Sequence, residues 1–462
     1  MNETTHTRRD VLRSVGAGAA ALAMPQGAVA RSAGRGTKPN ILLILVDDLG
    51  YGDLSCYGAK DLETPNLDRL VASGMRFDRF YANCPVCSPT RASVLTGRYP
   101  DLVGVPGVIR TKPHQNFGHL SSGAVLVPTV LKRAGYHTAI VGKWHLGLET
   151  PNTPNERGFD HFCGFLGDMM DDYYTHRRHG INYMRRDDRE IDPKGHATDL
   201  FTQWAVDYMG QRAKSKQPFF LYLAYNAPHS PIQPPKAWLD RVKQREPGLS
   251  DKRAKLVALV EHLDDGIGKV LAALKANGLS DNTLIIFTSD NGGSLPHGGT
   301  NGPLNGGKQD MLEGGIRVPM CAVWPGRIRP GSRSDRVAMT MDLFPAVCQA
   351  AGAGFDHEID GLSCLPTLLG RPQPDEKRFL FWVRLEGGRR YQRKPYYAAR
   401  QGDWKLLQNT ASEPLRLYNL TDDPDEKRPL GAEHKQYRVL HEALMKHIGK
   451  ARVVPWQRPN DG

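Results

Sequence analysis

Residues 40–48 read Asn-Ile-Leu-Leu-Ile-Leu-Val-Asp-Asp. A continuous apolar run closed by two acids predicts a strand buried on both faces of a mostly parallel sheet, where crossover helices cover each side. The pattern returns at residues 283–291, Thr-Leu-Ile-Ile-Phe-Thr-Ser-Asp-Asn, again an apolar strand ending in an acid. Working outward, Thr64-Pro65 opens a helical pattern with Leu67, Leu70 and Val71 on one face. Residues 126–134 predict a helix stopped by Gly135, and residues 137–141 a strand. Thr198 is expected to cap a helix carrying Phe201, Trp204, Ala205 and Tyr208. A strand at 219–225, a helix at 256–274 and a further strand at 319–324 continue the alternation. Together they predict an α/β fold whose mostly parallel sheet is flanked by helices.

In such sheets, sites gather at the carboxyl ends of strands. Two strands end in Asp47-Asp48 and Asp290-Asn291, four oxygen-bearing side chains of the kind a hard divalent cation takes. A single acid after a strand is more often a turn or cap residue, by roughly three to one. Doubled acids after a fully apolar strand weaken that reading. Beyond residue 370 the texture changes. Arg371-Pro372-Gln373-Pro374 reads as a linker between a larger part, 38–370, and a smaller α+β subdomain, 371–462. The latter has short aromatic strands at 379–383, 396–399 and 405–407 and a helix near 437–448.

The 462 residues are 40% hydrophobic and 24% charged, which excludes wholesale disorder. No stretch approaches 18 uninterrupted apolar residues, so no stable membrane span is expected, and no repeat suggests a solenoid or propeller. The net charge of +12 suits an anionic partner. A nucleic-acid partner is the weakest choice, because the basic residues are dispersed and match no binding motif. Seven cysteines in so long a chain do not make a disulfide scaffold, and the odd count singles out one thiol.

Residues 1–30 read as an address. Arg8-Arg9 precedes a weakly apolar run from Val15 to Met24, and Ala28-Val29-Ala30 supplies a small-x-small cleavage pattern. The adjacent arginines point to the twin-arginine export machinery of bacteria, and so to a periplasmic or secreted protein.

The most specific segment is Cys87-Ser88-Pro89-Thr90-Arg91, continued by Leu95-Thr96-Gly97-Arg98. Composition alone would call Cys87 a small buried hydrophobe. The C-x-P-x-R pattern with its LTGR continuation resembles the core of the type I sulfatases of the alkaline-phosphatase-like superfamily, in which the Cys becomes formylglycine (3-oxoalanine). Four other segments extend the resemblance in the family's order: GKWHLG at 142–147, APHSP at 227–231, TSDNGG at 288–293, and Lys308 followed by EGGIRVP at 313–319. LYNLTDDPDEKRPL, at 417–430, lacks an Asn the family often has there, and only a local change is expected.

The resemblance implies a bound Ca²⁺ held by Asp47, Asp48, Asp290, Asn291 and the modified Cys87. It also implies formylglycine-generating machinery acting on Cys87. One hydroxyl of the hydrated aldehyde would attack sulfur and the other would later release sulfate. Arg91 and Lys143 would stabilise the diol and sulfate, and His145 would act as base. His229 and Lys308 would bind sulfate, one of them protonating the leaving oxygen. Taken alone, a His is more often structural and a Lys a solvated charge. Their joint occurrence in ordered motifs reverses that.

The expected substrate is a sulfated sugar or oligosaccharide. Two stretches dense in Arg and Tyr, 168–189 and 384–400, are placed at the pocket mouth to read it, against the alternative of solvated charged loops. Two competing functions are a phosphonate monoester or phosphodiester hydrolase on the same fold, and a catalytically silent binder of sulfated glycan.

Overall fold

A computed structural model describes residues 37–112, 118–374, 377–386 and 394–454. The expected export signal at 1–30 lies outside the described residues. The central sheet has ten strands. Five parallel strands form its middle: β1 (Asn40–Val46), β2 (His137–Lys143), β3 (His161–Phe165), β4 (Phe219–Ala224) and β5 (Thr283–Ser289), in the order β5-β1-β4-β2-β3. β6 (Met320–Val323) then runs antiparallel against β5, and short strands extend both edges.

β1 is buried along its whole length because its side chains feed two layers. Ile41, Leu43 and Leu45 enter one core, and Leu42, Ile44 and Val46 enter the other. On the second face pack α1 (Pro65–Ala72), α4 (Ala197–Ala213) and α5 (Asp251–Ala276). On the first lie α2 (Cys87–Thr96), α3 (Val127–Arg133) and α6 (Leu343–Ala351). One expectation is corrected here. Thr198 does not cap α4; His196 does, its ring nitrogen accepting the Thr198 N–H at 3.2 Å. An imidazole lone pair can do what a hydroxyl oxygen usually does at that position.

A separate antiparallel sheet follows, with β7 (Leu380–Arg384), β8 (Tyr396–Gln401), β9 (Trp404–Leu407) and β10 (Arg416–Asn419). Helix α7 (Lys435–Ala451) covers one face through Leu440 and Leu444. The other face shares a core with the larger part, where Trp382, Ala398 and Tyr418 meet Tyr81, Tyr99 and Ile316. All seven cysteines are free thiols. No described helix is long and apolar enough to cross a membrane.

Candidate active site

Parallel register brings the candidate residues together. Val46 lies opposite Ser289, Leu45 opposite Ala224, and Ala224 opposite Gly142. Asp47, Asp290, Lys143 and the loop Asn226–His229 therefore leave the sheet at one end. The Asp290 N–H donates to Val46 O, and the Asp47 N–H to Ala227 O, both at 3.1 Å. Asp48 has φ 66°, a left-handed conformation that Asp tolerates better than most residues. Its N–H is held by Asp290 Oδ1 at 3.2 Å. The glycines of two separated segments explain each other: a β-carbon on Gly292 would meet Gly314 O at 1.8 Å. This close approach seats the turn after Lys308 against the stretch bearing Asp290 and Asn291.

Three carboxylates and three cations interlock in the cluster. Arg91 reaches Asp290 Oδ2 through Nε at 3.2 Å and Nη2 at 2.8 Å, and the same Nη2 lies 3.4 Å from Asp47. Lys143 Nζ bonds Asp47 Oδ2 at 2.5 Å. Lys308 Nζ bonds Asp48 at 2.7 Å. Asp47, Asp290, Arg91 and Lys143 have no solvent exposure at all. Burial pushes the Asp47 and Asp48 carboxyls up, but Lys143, Lys308, His229 and Arg91 outweigh it and hold them below their ordinary value. Asp290 is pushed up, by burial and by the charge of Asp47, with Arg91 only partly offsetting them. The Asn291 amide donates to Asp48 Oδ1 at 2.8 Å, while its own Oδ1 is buried without a partner among the described residues.

Cys87 is the first residue of α2, a helix buried on every side. Its position at the N-terminus places it in the positive end of the helix field. Sγ lies 3.3 Å from Asp47 Oδ1 and 3.8 Å from Lys308 Nζ. Burial and the neighbouring Asp47 raise the thiol far above its ordinary pKa. A thiol held protonated is a poor nucleophile and a poor metal ligand.

His145 also takes a left-handed backbone, φ 61°. Its Nε2 meets the Ile109 carbonyl at 2.7 Å, so Nε2 carries the proton, and its buried Nδ1 has no partner among the described residues. Burial, then Lys143 and Arg91, keep the ring neutral. His229 bonds the Ser230 carbonyl through Nδ1 at 2.7 Å and presents Nε2 to Asp48 at 3.7 Å. Burial and Lys308 push it down to about 4. The ligating atoms of Asp47, Asp48, Cys87 and His229 all lie within 4.8 Å of one another. Asp290 and Asn291 join this group through Asp48.

The candidate metal ligands and catalytic residues thus lie together at this end of the sheet. Two supporting groups were not anticipated. The Ile109 carbonyl fixes the His145 tautomer, and a carbonyl leaves no trace in sequence. The Tyr173 hydroxyl donates to His229 O at 2.8 Å and Asn226 O at 3.1 Å, bracing the histidine loop. Tyr173 does fall within the dense 168–189 stretch, but as a buried brace. Within the two stretches expected to read substrate, four side chains have other partners or are buried. Arg178 pairs with Asp168 and Asp171, at 2.9 and 2.7 Å, and Arg384, Tyr396 and Arg400 are buried. Arg389, Arg390 and Arg393 lie outside the described residues.

A family model described as Sulfatase matches residues 39–353, and one described as N-sulphoglucosamine sulphohydrolase, C-terminal, matches residues 307–453. The chain is 34% identical over 448 residues to N-acetylgalactosamine-6-sulfatase of Canis lupus familiaris, covering 88% of this chain and 84% of that protein. It is 34% identical over 440 residues to arylsulfatase A of Homo sapiens, covering 84% and 82%. The crystal structure of Ps i-CgsB in complex with k-i-k-neocarrahexaose superposes with a TM-score of 0.83 at 31% identity, covering 92% of this chain and 95% of that one.

Proposed function

The chain belongs to the sulfatase family and hydrolyses sulfate monoesters, and from that premise we propose that it acts on a sulfated carbohydrate through a formylglycine made from Cys87 beside a bound Ca²⁺. The observation that carries the reading is the placement of Cys87: first residue of a buried helix, with Sγ 3.3 Å from Asp47 Oδ1 and 3.8 Å from Lys308 Nζ, in one group with Asp48 and His229. The donors suit a hard cation, since Asp47, Asp48 and Asp290 supply carboxylates and Asn291 Oδ1 is a buried acceptor without a partner among the described residues. The sugar is supported by relatives named for N-acetylgalactosamine 6-sulfate or bound to neocarrahexaose, and by the net charge of +12.

Asp47, Asp48, Asp290 and Asn291 would hold the Ca²⁺, together with the modified residue 87. When bound, the ion supplies positive charge against sulfate oxygens and lowers the pKa of a coordinated hydroxyl. A hydrated formylglycine supplies the oxygen nucleophile and a second hydroxyl for sulfate release. The remaining work falls to this chain's own side chains. Arg91 and Lys143 fix the carboxylate Asp47, and with Lys308 they surround the reacting group with charge. His145, neutral and with Nδ1 free, takes a proton there. His229 carries its proton on Nδ1, so in the resting site Nε2 is an acceptor. Burial opposes the charge on Lys308, but Asp48 outweighs it and keeps the ammonium protonated. His229 and Lys308 would both bind the sulfate, and one of them would protonate the leaving oxygen.

The test is the mass of the peptide carrying Cys87, from protein made in a host able to modify it. The expected change is a loss of about 18 Da relative to cysteine, as replacing CH₂SH by CHO requires. Unmodified thiol, with glycan binding that survives Cys87→Ala, would leave a silent binder instead. We also place the mature protein in the periplasm or outside the cell. Arg8→Lys with Arg9→Lys should strand active, modified enzyme in the cytoplasm, and continued export of that variant removes the twin-arginine reading.

A further inference from the structure

Gln309, the neighbour of Lys308, has φ 84°. A left-handed backbone costs a residue with a β-carbon about 1–3 kcal/mol and persists only where its surroundings over-determine it. Here both backbone groups of Gln309 are taken. Its N–H donates to Pro85 O at 2.9 Å, two residues before Cys87. Its carbonyl accepts the Tyr396 hydroxyl at 2.9 Å and Arg384 Nη1 at 3.3 Å, both from the C-terminal sheet. The Lys308 N–H donates to Gly293 O at 3.0 Å, in the stretch that carries Asp290 and Asn291. The two residues therefore tie three pieces of chain together at the point where the Lys308 side chain departs for Asp48.

The clamp is built and buried. Arg384 is 2% exposed and Tyr396 8%. Arg384 bonds Glu386 through Nε at 2.8 Å and Nη2 at 2.5 Å, and it donates to the Tyr396 hydroxyl. The Glu386 carboxylate also takes Arg110 at 2.6 Å. That hydroxyl accepts from Arg384 and donates its own O–H to the Gln309 carbonyl, so its direction is set. Lys308 Nζ lies 2.7 Å from Asp48 and 3.8 Å from Cys87 Sγ, where a small rotation of the turn would change which group the ammonium faces.

We propose that Tyr396 and Arg384 are positioning residues for the sulfatase reaction: through the Gln309 carbonyl they hold the strained turn that aims Lys308 at the reacting group. This rests on the reading of Lys308 as a sulfate-binding cation. It gives Arg384 and Tyr396, two residues of the 384–400 stretch, a share in catalysis without contact to substrate.

The experiment is a double-mutant cycle of Tyr396→Phe with Lys308→Ala, read with 4-nitrophenyl sulfate and with the inhibition constant of inorganic sulfate. Tyr396→Phe removes one hydroxyl and keeps the ring. In the otherwise native enzyme it should lower kcat/KM about tenfold and weaken sulfate inhibition about threefold. In the Lys308→Ala background each loss should shrink below about twofold, since the group being aimed is gone. Equal losses in both backgrounds, or no loss in the native one, would overturn the proposal. Full activity of Lys308→Ala alone is a different result, because it removes the reading of Lys308 itself. Sulfate binding measured by calorimetry carries the cycle if Lys308→Ala turns over too slowly. Should Tyr396→Phe fail to fold, Gln309→Gly replaces it, because glycine frees the same φ and should lower kcat/KM only while Lys308 is present.

Discussion

Two buried charge clusters flank the turn that follows Lys308, and they are made of the same parts. At the sheet end, Asp47, Asp48 and Asp290 meet Arg91, Lys143 and Lys308. Behind the turn, Glu313 and Glu426 meet Lys405 and Arg400, with the Tyr81 hydroxyl between. Each interleaves buried carboxylates with cations. Each contains one carboxyl that burial and a like charge push up, Asp290 in the first and Glu426 in the second. Mixed charge and pKa direction therefore do not separate them; the neutral polar groups beside them do. In the rear cluster Lys405 donates to Glu313 at 3.0 Å and Glu426 at 2.7 Å, Tyr81 donates to Glu313 at 2.7 Å, and the Glu313 N–H closes on Glu426 at 2.7 Å. None of these side chains keeps a buried polar atom without a partner. The front cluster leaves Asn291 Oδ1 and His145 Nδ1 without partners among the described residues. A closed cluster fixes structure, and one with acceptors to spare is prepared for something else.

The largest effect should come from Asp290→Asn. The substitution keeps the shape and removes one of three carboxylates. Ca²⁺ affinity, measured by calorimetry, is expected to fall at least about 100-fold, and kcat/KM about 10²–10³-fold. The melting temperature in metal-free buffer should move by less than about 3 °C. A pH series sharpens this. The Asp290 carboxyl is raised, so it holds a proton further up the pH scale than an ordinary aspartate, and binding a cation must expel that proton. Affinity of the native protein should therefore weaken as pH falls, and Asp290→Asn should flatten that dependence. A variant that loses stability while keeping Ca²⁺ affinity would break the contrast between the clusters.

What could be read from the sequence follows the same division. The acids of the front cluster were legible because they close two strands buried on both faces, and parallel register carries Asp47 and Asp290 to one edge, while Arg91, Lys143 and Lys308 were legible only through the resemblance to the sulfatases. Helix α2 showed no helical stripe, because a helix buried all round has no polar face to contrast with. The stretch 384–400 was read as a pocket mouth on its arginines and tyrosines. Its meaning depends on partners far away in the chain: Arg400 on Tyr81 and Glu313, and Tyr396 on Gln309. Composition reports the charges but not what they face. For the same reason His196 was missed as the cap of α4, and Ile109 as the keeper of the His145 tautomer.

Lys405→Met tests the rear cluster and should reverse the pattern. The substitution leaves the Glu313 and Glu426 carboxylates side by side in the interior without their shared cation. Breaking a buried pair in this way costs about 3–5 kcal/mol. A fall of about 3–5 °C in melting temperature is expected. Turnover of the folded enzyme, measured well below the transition, should stay within about threefold, because Tyr396 and Asn409 still hold the turn at Gln309 and Met311. The pH dependence gives the sign. In the native protein burial pushes Glu313 up, but Lys405 and Arg400 outweigh it and hold it down to about 2, so its contribution to stability is present above the ordinary glutamate range and lost as pH falls toward 2. Without Lys405, burial and the neighbouring carboxylate would raise both acids. Their stability contribution would then be lost as pH rises through the raised values, so the deficit of Lys405→Met should be smallest in mild acid and largest at neutral pH and above. A deficit that grows in acid would mean that the ammonium of Lys405 is not what holds this cluster closed.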